Sequence, residues 1–311
     1  MDYSSKVNEL FTTQLRDWEL ARINYSLLGR VMTRSIAFGQ FPIVVQFNPE
    51  RIRSSAAKVD AKSIEARPCF LCAENRPPEQ RGVKVSDKMT ILVNPFPIFD
   101  RHLTIVSDSH TDQRILPNFS SMLTLAASLR DYVIFYNGPE CGASAPDHFH
   151  FQAGNRGFLP IESDFENGGS VTLLADRKGV EIWSWNGYGR GIATLKGRNA
   201  CRIAEVFAGF YVGLLRQQPE RPEPMLNILA YSDGDELTVH LIPRRQHRPT
   251  QFFAAGDSQI LLSPASVDLG GVIITPREED YKKITGNDIA DIFSQVSLGD
   301  KEITKLLKEY I

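Results

Sequence analysis

The sequence predicts an α+β fold: an antiparallel sheet with flanking helices, arranged as two related halves. Three observations predict it. Short apolar runs of strand length recur along the chain, bounded by glycine, proline and asparagine. Helical spacing is confined to a few segments between them. Asp100-Arg101-His102-Leu103-Thr104-Ile105-Val106 is also like Leu237-Thr238-Val239-His240-Leu241-Ile242-Pro243, although no period of 20 to 50 residues is present.

Residues 4–29 carry Val7, Leu10, Phe11, Leu15, Trp18, Leu20, Ile23 and Leu27 at three- and four-residue steps before Gly29, the pattern of one amphipathic helix. From Ile36 to Phe47, runs broken by Gly39 and Pro42 read as one or two strands leading into Asn48-Pro49-Glu50-Arg51. A polar loop with Arg51, Arg53, Lys58 and Lys62 follows, of a length more often functional than accidental. Strands are expected at 89–93, 102–106, 132–136 and 148–153, with a helix near 118–131. Past the turn at Gly154, Gly157, Gly168 and Gly169, strands at 171–175, 180–184 and 191–195 lead to a helix at 199–216. Strands 226–231 and 237–242 flank Ser232-Asp233-Gly234-Asp235, an Asp-Gly hairpin signal. A strand at 271–275 and helices near 277–284 and 287–310 complete the chain.

A chain of 311 residues can bury a large core, and 42% apolar with 23% charged residues excludes collagen-like, disordered and disulfide-dense classes. A net charge of -2 supplies no field for a polyanion, so nucleic acid is not expected as a partner, while a small anion is. No run approaches the roughly 20 apolar residues of a membrane span, and Met1–Leu10 lacks a signal-peptide layout, so a cytoplasmic protein with no membrane partner is expected. Cys141 and Cys201 stand alone and read as buried apolar side chains.

Asp147-His148-Phe149-His150-Phe151-Gln152-Ala153 alternates polar and aromatic residues, so as a strand it turns both histidines and Gln152 to one face and both phenylalanines to the other. That polar face should border a cleft. An unprotonated imidazole can attack an α-phosphorus and carry the nucleotidyl group as a phosphoramidate. Gln152 can hydrogen-bond a phosphate oxygen but cannot protonate a leaving group as a third histidine could, which favours transfer over hydrolysis. Upstream, Asn137-Gly138-Pro139-Glu140-Cys141-Gly142-Ala143-Ser144-Ala145-Pro146 is a small-residue loop suited to close approach of phosphate, or a plain connecting turn.

Cys69 and Cys72 form a C-x-x-C that can supply two thiolates to a tetrahedral zinc, with His110 and His148 as the completing nitrogens and His102 as the spare. The same pair can also be two buried thiols or an oxidisable dithiol. Arg244-Arg245-Gln246-His247-Arg248 reads either as a guanidinium clamp for an anion or as a solvated basic turn.

With these residues in view, Cys69-Phe70-Leu71-Cys72-Ala73-Glu74-Asn75 resembles the zinc knuckle of galactose-1-phosphate uridylyltransferases, a family of the histidine-triad (HIT-like) superfamily. Asn48-Pro49-Glu50-Arg51, Asn94-Pro95-Phe96, Ser107-Asp108-Ser109-His110, Asn137-Gly138, Gly142-Ala143-Ser144 and His148-Phe149-His150-Phe151-Gln152 match in the same order, over about residues 40–155. The wording of the His148–Gln152 segment, together with Asp268-Leu269-Gly270-Gly271-Val272-Ile273-Ile274-Thr275 and Glu279-Asp280-Tyr281, is more similar to GDP-hexose phosphorylases, which use inorganic phosphate as acceptor.

The resemblance implies a HIT-like sheet, with residues 1–155 as the catalytic half and 156–311 as a second half contributing to substrate binding. It implies structural zinc on Cys69, Cys72, His110 and His148, and a nucleotidyl intermediate on His150. Ser144 and Gln152 would contact phosphate, with Arg51, Asn94, Asn137 and Gly142 beside the nucleotide. The substrate would be a nucleotide sugar or dinucleotide, the acceptor phosphate or a sugar phosphate, and the assembly a homodimer. The second half departs from the uridylyltransferases in lacking their sugar-recognition pattern, and the cysteine knuckle departs from the GDP-hexose phosphorylases. Two other readings stand beside this one: a non-catalytic zinc-stabilised nucleotide-binding module, and a nucleotide hydrolase.

Overall fold

The structure is a computed structural model that describes residues 3–52, 61–168 and 170–310. Arg53, Lys58 and Gly169 lie outside the described residues. The strands are β1 Met32–Phe38, β2 Phe41–Phe47, β3 Gly82–Ser86, β4 Met89–Val93, β5 His102–Ser107, β6 Tyr132–Asn137 and β7 His150–Asn155 in the first half. They continue with β8 Val171–Asp176, β9 Val180–Trp185, β10 Ala193–Gly197, β11 Leu226–Asp233, β12 Glu236–Pro243 and β13 Val272–Thr275.

Ten of them form one sheet in the order β3-β4-β5-β7-β6-β11-β12-β10-β9-β8. Every pairing within it is antiparallel. β1, β2 and β13 make a second, smaller sheet in which β13 runs parallel to β2. The large sheet reads the same from either edge. Of the five strands each half gives to this sheet, the first, second, third, fifth and fourth follow in that order towards the centre, and the halves meet where β6 pairs with β11. A helix is inserted between β5 and β6, Phe119–Ser128, and another between β10 and β11, Ala200–Gln217, and the two stack through Phe119 and Phe207 at 3.7 Å.

The two halves expected from the sequence are therefore visible as topology, but the segments first likened to each other are not counterparts. Residues 100–106 fall on β5 and 237–243 on β12, whereas strand order matches β5 with β10 and β7 with β12. Both segments are apolar alternations containing a histidine, and a period of two cannot identify which neighbour a strand takes.

The alternation of β6, β7, β11 and β12 builds two cores. Phe149, Phe151, Tyr136, Ile228 and Val239 pack under the two helices. The opposite face, with Phe135, Leu229 and Ile242, packs against the small sheet and the segment from Ile260 to Phe293. The Asp-Gly hairpin forms as expected, with Gly234 at φ +58 in the β11–β12 turn.

Three expectations need correction. The helix over 4–29 is two helices, Ser4–Asp17 and Glu19–Leu27, broken where Trp18 adopts φ -116 and ψ 104. Trp18 is buried by that turn, while Leu20 and Ile23 stand 40% and 45% exposed, so the apolar spacing did not continue one buried face. Strand β3 was not foreseen, because Gly82-Val83-Lys84-Val85-Ser86 is a largely polar edge strand whose glycine leaves room for Thr90 and Leu92. The last helix is also two, Gly286–Val296 and Asp300–Tyr310, separated where Ser297 bridges Arg244.

Candidate active site

β7 delivers His150 and Gln152 onto the face opposite the two long helices, at one wall of a cavity of about 720 Å³. The floor comes from the first half, and His247, Arg248, Ser263 and Asp268 of the second half close the other side. His148 lies just ahead of β7 rather than within it, and its ring turns to the cysteine pair.

The nucleophile candidate has a defined tautomer. His150 Nδ1 lies 2.9 Å from the carbonyl oxygen of His148, which can only accept, so Nδ1 carries the proton and Nε2 keeps its lone pair. Burial pushes the imidazole down to about 4, so it is neutral at pH 7. Its backbone is held by a residue the sequence reading missed. Gln113 accepts from His150 N–H at 2.8 Å and donates from Nε2 to the carbonyls of His150 at 2.9 Å and Asn137 at 3.0 Å. The β6–β7 ladder ends at Phe135 and Gln152, and the buried Gln113 amide continues it as a side-chain rung. Tyr136 Oη donates to the Gln113 carbonyl at 3.2 Å and is itself paired with the buried carboxyl of Glu223. Burial raises that carboxyl to about 7.

The other predicted residues are assembled around the same cavity. Ser144, Gly142, Asn137, Asn94 and Arg51 all line it. Gly142 takes φ +95, and a Cβ there would stand 2.6 Å from that of Ala265, so glycine is what lets the loop meet the second half. Asn137 uses its side-chain oxygen Oδ1 to anchor that second-half wall, accepting from Ser266 N–H at 2.9 Å, Ser266 Oγ at 2.7 Å and Asn227 Nδ2 at 2.8 Å. Asn94 caps a turn, accepting from Phe96 N–H at 2.9 Å and donating to Thr104 Oγ1 at 3.1 Å. Arg51 donates to the Phe96 carbonyl at 2.8 Å; burial lowers its guanidinium to about 10, with Asp268 nearby raising it. Arg67, two residues ahead of Cys69, braces the loop before β7 by pairing with Asp147 at 3.0 Å and donating to the Ser144 carbonyl at 3.4 Å.

Cys69, Cys72, His110 and His148 converge, their donor atoms all within 4.8 Å of one another, so the four could hold a metal ion. His148 Nε2 donates to the Ser107 carbonyl at 2.8 Å, which leaves Nδ1 to face Cys69 Sγ at 3.3 Å and Cys72 Sγ at 3.5 Å. His110 turns Nδ1 to Cys72 Sγ at 3.2 Å, while its Nε2 lies 3.8 Å from Asp147. The spare candidate, His102, is elsewhere, fully buried beside Gln152.

Two expectations fail here. Arg244–Arg248 is neither a clamp nor a solvated turn: Arg244 is fully buried, donating to the carbonyls of Val296, Pro264, Gln246 and His247 and to Asn227. Arg245 pairs outward with Glu302, and of the three arginines Arg248 is the one that reaches the cavity. Cys141 is buried as expected, but Cys201 is exposed at the start of its helix.

Among the described residues the second half has no equivalent site. Across the sheet centre, register aligns Thr104, Gln152 and Phe135 with Leu229, His240 and Thr194. His240 is thus the counterpart of Gln152, and two residues back Thr238 stands where the first half has His150. Phe165, Trp185 and Tyr231 surround His240 at 5.4 to 5.8 Å, filling the space that is cavity in the first half.

Residues 169–311 match the family model described as GDPGP1-like, C-terminal domain. Residues 10–155 match a domain of unknown function, DUF4922. The yeast Ap4A phosphorylase Apa2 in complex with Ap4A superposes with a TM-score of 0.58 at 16% identity, covering 90% of this chain and 96% of that one. Its complex with AMP gives 0.57 at 16%, covering 91% and 96%. The likeness to the Apa2 structures shows a HIT-like fold, and the match to the GDPGP1-like model is confined to the second half of the chain. An ADP-glucose phosphorylase from Arabidopsis thaliana with bound ADP-glucose aligns at 13% identity over 86% of this chain and 99% of that one, with a TM-score of 0.37. Among curated proteins, none matches the sequence. Among the described residues no helix is long and apolar enough to cross a membrane.

Proposed function

We propose that this HIT-like protein is a nucleotidyltransferase that takes a nucleoside monophosphate from a nucleotide sugar or dinucleotide onto His150 and passes it to inorganic phosphate or a sugar 1-phosphate. The observation that carries this reading is the state of His150: proton on Nδ1, lone pair on Nε2, backbone clamped by Gln113, ring at the wall of a cavity large enough for such a substrate. Nε2 attacks the α-phosphorus; a P–N bond forms as the P–O bond to the leaving phosphate breaks. That leaving group departs as an anion and needs no proton, which suits a glutamine two residues along β7 from His150. An acceptor phosphate oxygen then attacks the same phosphorus and restores the imidazole.

Ser144 and Gln152 serve as hydrogen-bond donors to the phosphoryl oxygens, and Arg51 and Arg248 supply positive charge from the two halves. In this division residues 1–155 perform the chemistry and 156–311 complete the cavity. The complex of Apa2 with Ap4A, on the same fold, supports a dinucleotide donor. The metal we assign is zinc, held in a closed structural site. Bonds of about 2.3 Å to sulfur and 2.0–2.1 Å to nitrogen at the tetrahedral angle set sulfur and nitrogen about 3.5 Å apart. The observed separations are 3.2, 3.3 and 3.5 Å.

The test is intact-protein mass spectrometry after incubation with Ap4A, ADP-glucose, GDP-glucose and UDP-glucose, acceptor omitted. A nucleoside-monophosphate adduct present in the wild type and absent in His150→Ala is expected. A zinc-loaded wild type that forms no adduct with any donor would leave a binding module as the better reading.

A further inference from the structure

His102 is fully buried, on β5 beside the catalytic strand, and the mechanism above does not use it. Its two ring nitrogens have different partners. Ile98 N–H points at Nδ1 from 3.2 Å, and a backbone amide can only donate, so Nδ1 must carry the lone pair. Nε2 therefore carries the proton, and it lies 3.0 Å from the side-chain oxygen of Gln152. Burial and the nearby Arg51 push the ring down to about 3, which excludes the doubly protonated form at neutral pH. Phe99 and Phe135 pack against the ring, with centroids 5.3 and 6.0 Å away.

A glutamine amide has two nearly isosteric orientations, one turning oxygen and the other nitrogen into the site. Here they differ sharply. If Gln152 flipped, its NH2 would face the Nε2–H of His102, donor against donor, in a buried setting. With oxygen towards His102, the NH2 is left for the cavity that Gln152 lines. Only the second arrangement offers a phosphoryl oxygen a donor.

We propose that His102 is the positioning residue for Gln152: the chain Ile98 N–H to His102 to Gln152 fixes the amide with its NH2 towards the transferred phosphoryl group. The proposal rests on the reading of Gln152 as a phosphoryl-group donor. His102 touches no substrate atom in it, and acts wholly through the glutamine.

His102→Asn places a side-chain oxygen where Nδ1 stands, keeping an acceptor for Ile98 N–H, but is too short to reach Gln152. The rate of His150 nucleotidylation from Ap4A, ADP-glucose or GDP-glucose would be followed by rapid quench and mass spectrometry in the wild type, His102→Asn, Gln152→Leu and the double variant. Each single change is expected to slow the step by about tenfold to a hundredfold, somewhat less than the loss of a full oxyanion-type donor. The double variant should be no slower than Gln152→Leu alone, as for two residues acting through one contact. A His102→Asn enzyme at wild-type rate, or two losses that multiply, overturns the proposal. A second measurement is independent of activity and of whether the variant folds: ring 15N shifts of His102 in the wild type should report the Nε2-protonated tautomer at pH 7. The Nδ1-protonated or the charged form would overturn the proposal whatever the kinetics. A wild type that forms no adduct with any donor counts against the nucleotidyltransferase reading, and the ring shifts then decide the state of His102 separately.

Discussion

Gln113→Leu removes a side chain that satisfies three backbone groups, and the consequence can be worked from those bonds. His150 N–H, His150 C=O and Asn137 C=O each lose their partner, in a place where Gln113 itself is fully buried. A buried polar group left unpaired costs about 1–3 kcal/mol, so three cost at least about 3 kcal/mol even with some relaxation. That is a large part of the roughly 5–15 kcal/mol that holds a typical domain folded. Urea unfolding of the two proteins reads the difference directly. Gln113→Glu sharpens the test. Its carboxylate can still accept from His150 N–H but sets negative oxygen against two carbonyls, whereas the protonated acid can donate to one of them. Its folded-state pKa is thereby raised, so the variant should be most stable at low pH and lose stability as pH rises from 5 to 8. Nucleotidylation of His150 should slow in both variants, because the strand that aims the ring loses its rung. A Gln113→Leu protein within about 0.5 kcal/mol of wild type, the range of an inconsequential surface change, would refute the reasoning.

Metal analysis of the purified protein should find one zinc per chain, lost in Cys69→Ser, and chelation should lower the melting temperature, since the ligands join the knuckle, the segment after β5 and the loop before β7. Burial lowers His240 to about 3, so above pH 6.5 its contribution is intact, and it is lost as pH falls from 6.5 towards 3 because only the unfolded chain takes up the proton. Between pH 7 and 4.5 that loss is about 2–3 kcal/mol, and His240→Phe should show a correspondingly shallower fall in urea midpoint; identical pH dependence in both proteins would refute the assignment. Thr238→Ala, at the position matching His150, should leave the rate of nucleotidylation within about twofold of wild type if each chain has one working site; a larger loss would mean that the second half takes part in the chemistry.

Features in which a residue type is tied to a local pattern are legible in the sequence. His-Phe-His-Phe-Gln alternates with period two, and the structure sets Phe149 and Phe151 in one core and His150 and Gln152 at the cavity. Cys69 and Cys72 with His110 and His148 converge as the resemblance implied. What stayed hidden depends on contacts far apart in the chain. Gln113 sits three residues after His110 in a polar stretch with no periodicity, and its role appears only when β6 and β7 diverge around it. Arg244 reads as one of a basic run, yet it is buried 20 residues or more in sequence from Pro264 and Val296, whose carbonyls receive it. The break at Trp18 was hidden because a three-to-four spacing continues through it in sequence while the buried face changes direction.

The near-symmetry of the sheet explains why one cavity needs both halves. The row from Thr104 through Gln152 and Phe135 to Leu229, His240 and Thr194 crosses the centre of the sheet, so the two candidate site positions are close neighbours on one face. Two open cavities side by side would leave that face largely unpacked. Filling the second with Phe165, Trp185 and Tyr231 around His240 supplies a core there, and the segment from Pro264 to Asp268, fixed on Asn137 and Gly142, then serves as a wall for the first. A loop anchored in this way to the Asn137 side chain is tied to the same residue whose main-chain carbonyl accepts from Gln113. The second half is thereby coupled to the backbone of His150, although it contributes no nucleophile.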